Sequence, residues 1–227
     1  MRILALDSAL KRRSAGVVID GLLVSERHED ASRDHAAVLP VMADDVLREA
    51  GVAADALDFV AVTVGPGGFT GIRAAVALAH GIALGIGKPV IGVTVGEAIA
   101  DALPHIGVRS LWVAVDSRRG RVFLERIDGN GASPPGGVSA VQLDRLPRSR
   151  TPIAVAGDAA LIVAAWMAAR GTDVMLTDAR VPWPRHVAMA ALRRITGDLP
   201  PLPPQPLYVD PPEARLPAGG LRPLPAG

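Results

Sequence analysis

The chain has 227 residues, 49% of them hydrophobic and 21% charged, enough for one large domain or two small ones with an ample core. It contains no cysteine, which excludes disulfides, thiolate metal sites and cysteine nucleophiles. A net charge of +1 gives no strong electrostatic footprint for nucleic acid, and aromatics at only 3% leave the core to Ala, Val, Leu and Ile.

In chain order, ILALD (residues 3–7) reads as a buried strand ending in an acid. Asp20-Gly21, set between SAGVVI and LLVSER, is a two-residue hairpin signal. From Asp34 to Ala50 the apolar positions Val38, Leu39, Met42, Val46 and Leu47 recur at helical spacing, and Gly51 is a natural stop. DFVAVTVG then reads as a strand, Thr70 to Ile86 as a helix and PVIGVT as a strand. VGEAIADALPHI reads as a helix that ends near Pro104. The apolar start of the chain is broken early by Asp7, which does not suit a signal peptide. No apolar stretch is expected to span a membrane, so the expected location is cytoplasmic.

The pattern then restarts. LWVAVDS (residues 111–117) echoes ILALDS (residues 3–8), and RRG leads from it into RVFLERI as a second hairpin. IAVAG, a helix through LIVAAWMAA, VMLT and a helix from Val187 to Ile195 complete the second half. The expected fold is α/β, an internal duplication giving two lobes, each with a mixed sheet and flanking helices. The expected divisions are a first lobe over 1–106, a smaller second lobe over 107–205 and a proline-rich tail over 206–227. Ten of the chain's twenty prolines fall after residue 198, which rules out helix or central strand there. The tail is expected to be extended, with PLYV (residues 206–209) able to dock as an edge strand.

The stretch GPGGFTGIR (residues 65–73) looks like a phosphate loop and fails both nucleotide tests. No Lys-Ser/Thr follows as a Walker A loop requires, and the sixth position of the dinucleotide pattern is Thr70. A tight strand-to-helix turn, with Thr70 capping the first helical turn, fits better. The helix behind it is nearly apolar all round, with only Arg73 and His80 polar from Gly71 to Gly87. Gly71, Ala75, Ala79 and Ala83 lie one turn apart, as do Ala77, Gly81 and Gly85. Such spacing suits either a buried core helix or close approach of a partner helix, for which Val38, Met42 and Val46 offer a companion stripe.

The five histidines have no metal-ligand spacing. Asp7 and Asp116, ending corresponding strands, could face each other across a cleft and hold Mg²⁺ or activate a hydroxyl; strand-end acids also serve simply as turn formers.

MRILALDSA, DHAAVLPVMADDVL, FVAVTVGPGGFTGIRAAVALAHGIALGIGKPVIGVT and LWVAVDSRRGRVFLERID together resemble the TsaB (YeaZ) family. The resemblance covers the first 128 residues and thins beyond, the family's P-x-Y-L-R ending standing here as Pro206-Leu207-Tyr208-Val209-Asp210. It implies the actin/Hsp70/sugar-kinase (ASKHA) fold and a non-catalytic subunit that partners TsaD, and through it TsaE, in making N6-threonylcarbamoyladenosine (t6A) at position 37 of tRNA. The H-x-x-x-H metal pair of TsaD falls at Val95 and Ile99, neither of which can ligate a metal. The resemblance implies an interface through His35, Val38, Met42, Val46, Gly71, Arg73, Ala75, Val76, Ala79, His80 and Ala83 toward TsaD or a second copy of the chain. No cofactor or metal is expected, and tRNA is reached only through the complex. The rival reading is an ATP/Mg-dependent kinase or ATPase of the same fold using Asp7 and Asp116, although Ser8-Ala9-Leu10 lacks the glycine that lets a backbone approach phosphate.

Overall fold

The computed structural model describes residues 1–30, 35–103, 105–134 and 136–209, and for His35 and Ala36 the backbone alone. The first half runs β1 (Arg2–Asp7), β2 (Arg12–Ile19), β3 (Leu22–Asp30), α1 (His35–Ala50), β4 (Phe59–Gly65), α2 (Phe69–Ile86), β5 (Val90–Thr94) and α3 (Val95–Asp101). The second runs β6 (Ser110–Asp116), β7 (Arg121–Ile127), β8 (Val138–Gln142), β9 (Ile153–Ala156), α4 (Ala160–Ala168), β10 (Val174–Leu176) and α5 (Pro184–Thr196).

The duplication is explicit in the sheets. The first has the order β3-β2-β1-β4-β5 and the second, read from the other edge, β8-β7-β6-β9-β10. In both, the first strand pairs antiparallel with the hairpin strand and parallel with the strand beyond. Asp20 and Gly21 take left-handed backbone (φ 50° and 80°), the geometry that closes a two-residue hairpin with the right twist.

Strand alternation assigns the core. On β1, Leu4 and Leu6 face α1 and α2, joining Leu39, Val46, Ile72, Ala75 and Ala79 in one cluster. Ile3 and Ala5 face the other way, against Val187, Ala188, Ala190 and Ala191 of α5. The last helix therefore packs on the first sheet, and α3 lies between it and the second sheet. Two buried contacts hold α3 there. Arg194 of α5 donates to Glu97 Oε1 at 2.6 Å, and Gly96 N donates to Glu125 Oε2 of β7 at 2.8 Å. Thr94 and Glu97 close a capping box on the same helix.

Three local expectations change. Gly68 is the N-cap of α2 and makes no side-chain cap bond, so Thr70 is an exposed first-turn residue and not the cap. PLYV forms no strand and makes a single ladder-like bond, Leu207 N to Val64 O at 2.8 Å, because the prolines around it cannot donate. By length and composition alone, α2 is apolar enough to cross a membrane, with mean hydropathy 1.5 over 18 residues; it lies on the first sheet with its inner face buried. Residues 210–227 of the tail lie outside the described residues.

Candidate functional site

The glycine-rich turn folds onto the β1–β2 turn. Gly68 N donates to Ala9 O at 2.7 Å. A Cβ added to Gly67 would come within 2.1 Å of Ala9 O, and one on Gly71 within 2.0 Å of Ser8 O. These two glycines are required by close backbone approach. The turn is thus consumed by its own chain, as the strand-to-helix reading expects. Ser8, Ala9 and Leu10 beneath it are buried.

Asp7 sits under this closure, fully buried. Its Oδ1 accepts from Thr63 Oγ1 and from Ala9 N (3.1 Å), while Oδ2 has no hydrogen-bond partner. Burial pushes its carboxyl up to about 6, against the opposing pull of those two bonds. Asp116 is exposed; its Oδ1 accepts from Arg118 N at 2.7 Å, a turn-forming bond. The two acids share no hydrogen bond among the described residues. Asp116 is instead joined to Asp158, whose Oδ1 accepts from Asp116 N at 2.8 Å. Burial raises the Asp158 carboxyl; the hydrogen bond from Asp116 N opposes the rise, the Asp116 charge adds to it, and the Lys11 and Arg118 charges oppose it. The sequence reading missed Asp158, which follows Gly157 at the end of the fourth strand of the repeat, a place singled out only by the duplication.

The expected interface residues divide by face. Gly71, Ala75, Val76, Ala79 and Ala83 of α2, and Met42 and Val46 of α1, are buried against the home sheet. Val38 is half-buried against the same core. The buried positions offer no free surface, because the small-residue stripe is what lets α2 sit close to its own sheet. His35 has its side chain outside the described residues. Arg73 and His80 do face outward, and both hold the chain's own C-terminal segment. Arg73 donates to Tyr208 Oη from Nε (3.0 Å) and Nη2 (2.8 Å) and stacks on Phe69 at 3.7 Å. His80 Nε2 lies 2.8 Å from Pro204 O.

What remains bare on α2 is Ala77, Gly81, Leu84 and Gly85, with Leu84 85% exposed. Nothing lies within 4 Å of a Cβ built on Gly81 or Gly85, so a neighbouring helix could approach to backbone distance. The adjacent α1 presents Ala37, Pro40 and Val41, the last 60% exposed. The two helices thus share an apolar outer face formed of small residues. Val95 and Ile99, where the sequence resemblance sets the TsaD metal pair as an expectation, are fully buried aliphatics at the start of α3. Among the described residues no group of three His, Asp or Glu could hold a metal ion.

The two repeated sheets with flanking helices define the class: a duplicated α/β protein of the actin/Hsp70/sugar-kinase type. Its fold is similar to the activator of 2-hydroxyisocaproyl-CoA dehydratase from Clostridium difficile with bound ADPNP (TM-score 0.51, 10% identity, 87% of this chain and 96% of that one). Within the class the resemblance to TsaB/YeaZ holds in both sequence and fold. The fold matches YeaZ from Pseudomonas aeruginosa with a TM-score of 0.72 and 24% identity over 91% of this chain and all of that one. The sequence is 35% identical over 124 residues to the tRNA threonylcarbamoyladenosine biosynthesis protein TsaB of Escherichia coli (strain K12), covering 54% of this chain and 53% of the relative. Residues 27–133 match the family model described as TsaD, tRNA N6-adenosine threonylcarbamoyltransferase. The chain spans about half the length of the curated TsaB relatives it matches.

Proposed function

We propose that the chain is a non-catalytic subunit in t6A formation on tRNA, docking a TsaD-type partner through the outer face of α1 and α2, with TsaE joining the assembled pair. The observation that carries this reading is the bare strip Ala77, Gly81, Leu84 and Gly85 beside Ala37, Pro40 and Val41. Small residues at one-turn spacing with open space above them suit helix-on-helix docking, whereas a solvent face is ordinarily charged. Two further features support a scaffold over a catalyst. The positions matched to the metal pair hold buried Val95 and Ile99, and the closed turn over Asp7 occupies the backbone donor, Gly68 N, that a phosphate would need. In the absence of a TsaD partner, the same strip could pair two copies of the chain. A cytoplasmic location fits this role.

The test is co-purification of TsaD with the Gly81→Arg variant, which places a long charged side chain in open space and leaves the fold intact. Loss of the complex supports the reading; an unchanged complex overturns the docking face. A second reading, an ATP/Mg enzyme, is favoured only by the buried, half-satisfied Asp7 carboxyl. Calorimetry with Mg-ATP on the isolated chain decides it: tight binding abolished by Asp7→Ala would replace the scaffold reading.

A further inference from the structure

The second lobe carries an arginine-lined trough away from both helices discussed above. A depression of about 420 Å³ is lined by Trp112, Arg126, Asp128, Arg148 and Arg150, among others. A second depression of about 330 Å³ is lined by Gly136, Gly137 and Ser139, and the two share Arg126 and Pro134. We propose that this trough is a phosphate-tracking RNA site, through which the chain contacts tRNA directly. The choice of RNA over another polyanion rests on the t6A reading above.

Charge is the first argument. Three guanidinium groups face one carboxylate, Asp128, and that carboxylate is already engaged by its own turn, accepting from Asn130 N and Ala132 N. The guanidinium groups of Arg126, Arg148 and Arg150 form no ion pair or hydrogen bond among the described residues, whereas Arg13, Arg27, Arg48, Arg109 and Arg194 are each matched to an acid. Three unpaired like charges around one concavity repel each other until an anion enters. The sequence places them by RLPRSR (residues 145–150), a run with no acid that a whole-chain charge of +1 conceals.

Geometry is the second. The Arg126 guanidinium lies 5.1 Å from the Trp112 ring centroid, which fixes its plane and leaves its N–H edges free for phosphate oxygens. Trp112 is only 6% exposed, so it orders the arginine and does not itself stack a base. The contact is therefore to the sugar–phosphate backbone and carries no sequence preference. Two open depressions that share lining residues suit a strand passing through, while a small molecule is ordinarily enclosed on most sides.

The experiment is fluorescence anisotropy of a labelled, unmodified tRNA transcript with the full chain, over a salt series. The triple variant Arg126→Ala, Arg148→Ala, Arg150→Ala should weaken binding at least about tenfold at low salt and reduce the log–log salt slope by about 2. The double variant Arg148→Ala, Arg150→Ala, which leaves the Trp112 stack in place, should lose an intermediate amount. Replacing all three by Lys should retain most of the binding. An unchanged affinity and slope in the triple variant, or no RNA binding by the wild type at low salt, overturns the site. Equal competition by poly-glutamate of matched charge overturns RNA as its occupant. Co-purification with TsaD, measured on the same triple variant and expected to be intact, reports separately on the docking face.

Discussion

The two lobes share a strand order and pairing pattern, yet they treat equivalent positions in opposite ways. Asp7 ends the first strand of one repeat and is fully buried, bonded to Thr63 beneath the 67–71 turn. Asp116 ends the matching strand of the other and lies in solvent, closing a turn on Arg118. Both α2 and α4, the equivalent helices, are apolar well beyond one stripe. Residues 204–208 clasp the outer side of α2 through Arg73 and His80, whereas α4 leaves Leu161 and Ile162 67% and 53% exposed. A duplicated backbone thus does not imply a duplicated site. Symmetric use of the two strand-end acids, which the rival ATP/Mg reading invokes, is not what these environments favour.

The largest effect is expected where the first repeat is closed. Gly71→Ala would drive a Cβ to 2.0 Å from Ser8 O, and should cost about 3 kcal/mol or more in urea unfolding, since backbone on both sides resists the shift. A cost near zero would mean that the turn over Asp7 is loose.

The next effect is a pH dependence carried by buried acids. The folded chain raises Asp7 from 3.8 to about 6, and Glu125 from 4.5 to about 7, in both cases chiefly by burial. Because the folded values are higher, the fold favours the neutral carboxyls. Their contribution is fully present below the unfolded pKa values and is lost as pH rises through about 6 for Asp7 and about 7 for Glu125. Unfolding free energy from these two groups should therefore fall between pH 4 and pH 7, by on the order of 2–3 kcal/mol each. Asp7→Asn and Glu125→Gln should each flatten that slope, and a slope unaltered in both variants would contradict the burial of these carboxyls. Asp116→Asn should shift stability by no more than about 0.5 kcal/mol, as for an exposed turn residue.

Between these lies the clasp. Tyr208→Ala removes the acceptor of two Arg73 bonds at an exposed site and should lower stability by about 1 kcal/mol. Limited proteolysis should then cut between residues 199 and 209 faster than in the wild type. Equal cutting rates would show that the remaining contacts, Leu207 N to Val64 O and His80 to Pro204 O, suffice to hold the segment.

Much of this architecture was legible from residues. The Asp-Gly hairpin, the Asp-Ser echo and the strand–turn–helix order led to the duplicated fold because turn chemistry and strand periodicity are local signals. The faces of α2 were not legible. A helix apolar all round has no stripe to orient it, so the small residues assigned to a partner turned out to pack on the home sheet. β8 was missed because VSAVQ is a short, half-buried edge strand following a glycine- and proline-rich stretch. Glu125 gave no signal either, since one acid in the hairpin strand RVFLERI is ordinary, and only α3 packing on the second sheet gives it a buried partner. The arginine trough escaped notice because bulk charge averages away a local cluster.

The most direct test of the docking face is the affinity of TsaD for the wild-type chain and for Leu84→Glu, measured by calorimetry at equal folded fraction. Leu84 is 85% exposed and touches no core, so the fold should be indifferent to the change. A buried unpaired carboxylate in the helix contact should weaken association by at least about a hundredfold. Wild-type affinity in this variant and in Gly81→Arg would contradict docking through the outer face of α2.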